Sequence, residues 1–96
     1  MSVALEQAVR IPSDVMFREL QGEAVILDLT SSTYFGLDHV GTRIWQLCAT
    51  HASLRAVCEA MQHEFDAPHE TLQVDLLAFV DELVTKGLLE VQPNVA

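Results

Sequence analysis

Basic residues are scarce in this 96-residue chain: five Lys and Arg stand against fourteen Asp and Glu, a net charge of −9 at neutral pH. A nucleic-acid binder displaces counterions from phosphates with Lys and Arg, so this balance argues against DNA or RNA as a partner. The deficit is sharpest in the stretch 64–90, where seven carboxylates (Glu64, Asp66, Glu70, Asp75, Asp81, Glu82, Glu90) share the chain with Lys86 as the one Lys or Arg. Such a surface favours basic or mixed-charge partners; an acidic face that only aids solubility has the same composition. Cysteine is almost as rare. Cys48 and Cys58 are too few for a disulfide framework, and their spacing is not that of a zinc knuckle or finger. His51, His63, His69 and Glu64 lie near them in sequence, but both thiols fall on apolar helix faces, where buried Cys is a common core residue. No metal and no cofactor are therefore expected. No apolar run approaches the roughly 18 to 20 residues of a membrane span, and Met1–Glu6 lacks the basic-then-apolar pattern of a signal peptide. A cytoplasmic protein with no membrane partner is the expectation. No Cys–His or Ser–His–Asp arrangement can be assigned, so no catalytic residue is nominated and the chain is not expected to be an enzyme.

Hydrophobic residues make up half of the chain, enough for one modest core in a single domain. The stretch Glu23–Trp45, EAVILDLTSSTYFGLDHVGTRIW, organises the rest. Residues 1–13 hold Pro12 and no sustained period, and read as a flexible or strand-like arm; the domain is expected over 14–92, with a tail at 93–96. Val15–Leu20 reads as a first strand, and Gln21-Gly22-Glu23 as a turn whose Gly accepts positive φ. Ala24–Leu29 returns as a second strand, with Val25, Leu27 and Leu29 on one face and Ile26 and Asp28 on the other. A polar break, Thr30–Thr33, leads into a third strand, Thr33–Leu37.

Asp38 then suits an N-cap, and Val40, Ile44, Leu47 and Cys48 recur with the period of an amphipathic helix. Gly41 inside that helix costs about 1 kcal/mol of propensity relative to Ala; close packing of the first turn against the sheet accounts for it. Trp45 falls beside the stripe, at the core or its rim. Ser53 can cap a second helix with Leu54, Val57, Cys58, Met61 and Phe65 on its apolar face, and Pro68 separates it from a third. The third helix, about His69 to Lys86, carries Leu72, Leu76, Phe79, Val80 and Leu83 on one side, with Leu77 and Val84 widening it. Gly87 fits the left-handed position that closes a helix. Leu88–Val91 reads as a short strand or apolar tail returning to the core.

The fold class is therefore α+β, a winged helix-turn-helix-like domain with a three-stranded antiparallel N-terminal sheet followed by three helices. That outline often belongs to a DNA reader, and a winged-helix DNA-binding regulator is the alternative function. Its recognition helix would carry Glu70, Asp75, Asp81 and Glu82 with only Lys86 to offset them, the wrong charge for a major groove.

The run EAVILDLTSSTYFGLDHVGTRIWQL, then FDAP, then VDLLAFVDELVTKGLLEV, resembles the PqqD-like proteins, also called RiPP recognition elements. The resemblance covers about Val15 to Val91. It rests on the LDL strand, the YFGL strand, G-x-x-x-W in the first helix, Asp75-x-x-x-Phe79 in the third, and the closing Gly87-Leu88-Leu89. Ser32 departs from it, since many relatives carry Gly in the turn before YFGL. The resemblance implies a non-catalytic module that binds the leader of a ribosomally made precursor peptide and presents it to a modifying enzyme or protease of the same pathway. The YFGL and G-x-x-x-W signature points towards a stand-alone module of the lasso-peptide type. In the family the leader adds as a strand to the third strand of the sheet, in the cleft beside the third helix.

The residues support this route by themselves. Thr33–Leu37 is the edge of a three-strand meander, free of Lys and Pro, and Gly36 lets another backbone approach. Pockets for alternate side chains of an added strand are expected from Tyr34 or Phe35 with Leu76, Phe79 and Leu83, and Asp75 and Glu82 at the rim suit polar or basic leader groups. The peptide-binding set is thus Thr33, Tyr34, Phe35, Gly36, Leu37, Asp75, Leu76, Phe79, Glu82 and Leu83. Ordinary core packing is the competing account of each of these side chains; it is the favoured one for Phe79 and Leu83, whereas contact with the peptide is favoured for Thr33 and Asp75. The same edge would also let two copies pair as a homodimer.

Overall fold

The computed structural model describes residues 3–51 and 53–92; the expected tail at 93–96 and Ala52 of the interhelical connector lie outside them. Eight elements follow in order: β1 (Ala8–Arg10), β2 (Val15–Leu20), β3 (Glu23–Asp28), β4 (Thr33–Leu37), α1 (His39–Thr50), α2 (Leu54–Glu64), α3 (His69–Thr85) and β5 (Glu90–Gln92). The main sheet is antiparallel in the order β2-β3-β4, and β1 pairs with β5 in a separate two-stranded ribbon.

Two turns set the sheet register. Leu20 pairs with Glu23 across a two-residue loop, in which Gln21 and Gly22 have φ of 57° and 82°, as a type I′ hairpin turn requires at both central positions. Gly22 is needed twice over, because a Cβ there would sit 2.6 Å from His39 Nδ1. The second turn joins Asp28 to its partner Thr33. Here the Asp28 carboxylate accepts from Thr30 N at 3.0 Å and Ser31 Oγ at 3.1 Å, and Ser32 takes the left-handed conformation at φ 58° without being glycine.

The sheet turns its Ala24 and Ile26 face to the helices. Ile26 is fully buried, whereas Val25 and Leu29 of the opposite face are exposed. Phe17 stacks on Trp45 with ring centroids 6.1 Å apart, which places Trp45 inside the core. Asp38 caps α1, accepting from Gly41 N at 2.8 Å. A Cβ on Gly41 would meet Leu37 Cδ2 and Phe79 Cε1 at 3.4 Å, so the helix start is packed against both the sheet and α3. The expected α1 stripe needs one correction. Its buried face runs through Gly41, Ile44, Trp45, Leu47 and Cys48, and Val40 is half exposed, because burying the large indole rotates Val40 away from the core.

The N-terminal arm is part of the same folded unit. Val3 and Leu5 are buried, and β1 pairs with β5 from Ala8↔Gln92 to Arg10↔Glu90. Gln7 O and Leu5 O accept from Leu54 N and Arg55 N at 2.9 and 3.0 Å, while Ser53 Oγ accepts from Ala56 N at 3.2 Å. Three of the four amides left free at the start of α2 are thereby satisfied. The arm from Val3 onward is therefore packed into the same unit as the residues after it. At the far end α3 closes in a Schellman motif: Gly87 has φ 78°, Leu88 N donates to Leu83 O at 2.9 Å and Gly87 N to Val84 O at 3.0 Å. That turn sends the buried Leu88 and Leu89 back into the core and aims β5 at β1.

Candidate functional site

Backbone alternation shows what the edge of the main sheet offers. The pair flanking a two-residue hairpin exchanges both of its hydrogen bonds, and hydrogen-bonded pairs then alternate along antiparallel strands. From Leu20↔Glu23 it follows that Glu23, Val25 and Leu27 bond to β2, and that Ala24, Ile26 and Asp28 face β4. Their partners Leu37, Phe35 and Thr33 are therefore engaged with β3. Tyr34 and Gly36 direct their N–H and C=O groups to the open side. Among the described residues β4 has no neighbour there, so two residues present four unpaired backbone groups at the level of an added strand.

Beside this edge lies a groove of about 560 Å³ between β4, the start of α1 and the middle of α3. Phe35, Gly36 and Leu37 form the β4 wall, and Asp75, Ala78, Phe79 and Glu82 the α3 wall. Asp38, Val40, Gly41 and Ile44 close the end at α1. Six of the ten residues nominated from sequence thus meet at the groove: Phe35, Gly36, Leu37, Asp75, Phe79 and Glu82. Thr33 and Tyr34 lie on the strand but outside the groove; Tyr34 points from the outer face of the sheet and is 73 % exposed. Leu76 and Leu83 require correction. Both are 0 % exposed and belong to the core, one helical step from the residues that line the groove, so they support its wall without presenting surface.

The groove residues missed from sequence have identifiable signals. Ala78 shares a helix face with Asp75, Phe79 and Glu82 at the i, i+3, i+4 and i+7 spacing. Val40 is an exposed apolar residue in the first turn of a helix, where nothing in the core claims it. Beyond the groove, Lys86 Nζ lies 5.4 Å from the Phe35 ring centroid, within cation–π range.

Little here resembles a reaction centre. Burial pushes the Cys48 thiol up to about 12, which keeps it protonated and unsuited to nucleophilic attack. Cys58 is also a free buried thiol. Among the described residues no three His, Cys, Asp or Glu side chains converge as a metal site, and no helix is long and apolar enough to cross a membrane.

An α+β domain that sets an open antiparallel edge beside a helix-walled groove defines a class of small strand-accepting folds. Within it, this chain belongs to the PqqD family: the family model described as coenzyme PQQ synthesis protein D matches residues 23–89. The chain is similar to TbiB1, solved in complex with the TbiA(beta) leader peptide, at 36 % identity and a TM-score of 0.80, over 84 % of this chain and 94 % of that one. A lasso peptide synthetase B1 complexed with its leader peptide shares the fold at 21 % identity and a TM-score of 0.76, over 88 % and 98 % of the two chains. No protein of curated function matches the sequence.

Proposed function

We propose that this protein is a non-catalytic recognition module. It binds the leader segment of a ribosomally made precursor peptide as a fourth strand on β4 and presents it to a modifying enzyme or protease of a lasso-peptide-type pathway, in the cytoplasm where the precursor is made. The observation that carries this reading is the open Tyr34–Gly36 edge beside the groove, in a chain 36 % identical to a protein solved with a leader peptide. Backbone pairing at the edge supplies affinity that any strand could use. Selectivity comes from the groove, where Phe79 and Phe35 offer apolar surface and Asp75 and Glu82 offer carboxylates. A free leader is disordered, so ordering it offsets about 2–5 kcal/mol of the contact energy. A second copy paired through β4 would occupy the same backbone groups, so leader binding and edge-to-edge dimerisation exclude one another.

The direct test is fluorescence anisotropy with a labelled leader taken from the short precursor encoded beside this protein. Saturable binding at about micromolar concentration or tighter, weakened in Phe79→Ala and Asp75→Ala, is the expected outcome. If all of these variants are folded and bind the leader as the parent does, the groove is not the site.

A further inference from the structure

The charges along the groove are ordered, and the order has a direction. α3 runs antiparallel to β4 across the groove. At one end the Phe79 ring lies against the start of α1, where a Cβ on Gly41 would meet both Phe79 and Leu37 at 3.4 Å. At the other end, two turns further along α3, Lys86 stands over Phe35. Asp75 is one turn before Phe79 and so shares the Leu37 end with Asp38, while Glu82 stands between Phe79 and Lys86. Asp38 already accepts the Gly41 N–H, which leaves Asp75 as the uncommitted carboxylate among those that line the groove at that end. No Lys or Arg lines the groove itself. The two walls therefore run from the carboxylates of Asp38 and Asp75 beside Leu37 to a Glu82 carboxylate offset by Lys86 beside Phe35, so negative charge is greatest at the Leu37 end.

β4 runs from Thr33 to Leu37, and every strand of this sheet is antiparallel to its neighbour, the arrangement that is also the more stable per residue. A strand added in that sense begins opposite Leu37 and ends opposite Thr33. Resting on the leader-binding reading above, we infer that the groove selects its peptide by charge order. The bound segment carries Lys or Arg in its N-terminal half, against Asp75, and is neutral or acidic in its C-terminal half, where it passes Lys86. A net charge of −9 attracts any basic peptide from a distance. What distinguishes this inference is the position of the cation within the segment, which sets direction and register on an edge whose backbone groups are otherwise unselective.

The test is a displayed library of random peptides about 12 residues long, enough to pass β4 and both of its ends, panned on the full chain at roughly physiological ionic strength. The expected result is Lys or Arg enriched on the N-terminal side of the apolar anchors and depleted on the other. A twin of the best binder, with the charges exchanged between its halves, should bind about tenfold more weakly, since two exposed attractions become repulsions. Asp75 and Lys86 are exposed, so an Asp75→Lys, Lys86→Glu double variant folds as the parent does and should reverse the preference. Selected peptides whose affinity is indifferent to that exchange, or whose cations gather in the C-terminal half, overturn the charge order and leave the leader-binding reading standing. No selected peptide, or peptides bound undiminished by a folded Gly36→Pro variant, overturns both.

Discussion

Gly36→Pro isolates strand addition from everything else the domain does. Gly36 opposes Val25 on β3 but, by the alternation set at the hairpin, sends its own N–H to the open edge. Proline at this position therefore removes an edge donor and none of the bonds that hold β4 to β3, a placement that edge strands tolerate. A Cβ on Gly36 meets nothing within 4 Å, and the preceding Phe35 is already in a strand, the conformation favoured before proline. Stability should therefore change by no more than about 1 kcal/mol, with part of any loss returned by the stiffer unfolded chain. Binding should change far more. One hydrogen bond contributes about 0.5–1.5 kcal/mol, and leaving the leader's carbonyl buried without a donor costs about 1–3 kcal/mol. A combined loss of about 2–3 kcal/mol is about a 30- to 140-fold weaker Kd. Anisotropy titration of the labelled leader reads the affinity, and urea denaturation shows that the variant is folded. Gly36→Ala, which keeps both backbone groups, is the control and should stay within about threefold of the parent. A folded Gly36→Pro protein that binds the leader as tightly as Gly36→Ala would refute addition on β4.

Three further outcomes follow from the same structure. Ser32→Gly relieves a non-glycine residue held at φ 58°; after the extra entropy of glycine is subtracted, the variant should gain about 0.5–1 kcal/mol and a few degrees in thermal midpoint. The Arg43 guanidinium, donating to Glu64 at 2.6 and 2.8 Å, holds the Glu64 carboxyl below its ordinary value. A depressed carboxylate contributes stability that is full above its unfolded pKa near 4.3 and is lost as pH falls through the folded value; Glu64→Gln should therefore show a shallower acid-side decline in urea titrations than the parent, and an identical decline would refute the assignment. Cys48, buried and pushed up to about 12, should resist a thiol reagent at pH 8 until denaturant unfolds the domain, and rapid labelling of the native protein would contradict its place in the core.

The parts of this fold that could be read in advance are those decided by neighbours in sequence. Gln21-Gly22 permits the positive φ a tight hairpin needs, Asp38 and Ser53 precede apolar periodic runs, and Gly87 sits where a helix must end; each acts within a few residues and left a local mark. The arm did not, because Val3 and Leu5 are buried, Leu5 O accepts from Arg55 N of α2, and β1 finds β5 some 80 residues away, contacts that no local period encodes. The groove was half legible for a related reason. α3 carries a broad apolar arc of about 160° at 100° per residue, through Leu72, Leu76, Leu77, Phe79, Val80, Leu83 and Val84, so periodicity gives the angle between residues but not which part of the arc faces the core. The pattern alone therefore places Leu76 and Leu83 at the groove, though they are wholly buried, while the small Ala78 lines it. Trp45 has the same effect in α1: its size decides the rotation of the helix and leaves Val40 at the groove.

The sheet has two edges, and the difference between them explains why a peptide would choose β4. By the same alternation, Val15, Phe17 and Glu19 direct their backbone groups outward from β2. That edge is managed. Val15 N already donates to Pro12 O at 3.1 Å, Arg18 and Glu19 place opposite charges in the strand, and the Glu19 carboxylate is held by Gln46 Nε2 at 2.7 Å. On its inner face Phe17 is stacked on Trp45, with ring centroids 6.1 Å apart. Charges and covering contacts are the usual defences of an exposed edge against unwanted pairing. β4 has neither: no charged residue occurs from Thr33 to Leu37, and the ground beside it is open between Phe79 and Phe35. An unguarded edge is an aggregation hazard unless something occupies it, and the acidic surface around this one limits the copies of the chain that can approach each other. The same carboxylates that argue against a nucleic-acid partner would thus keep the edge free for a peptide of complementary charge.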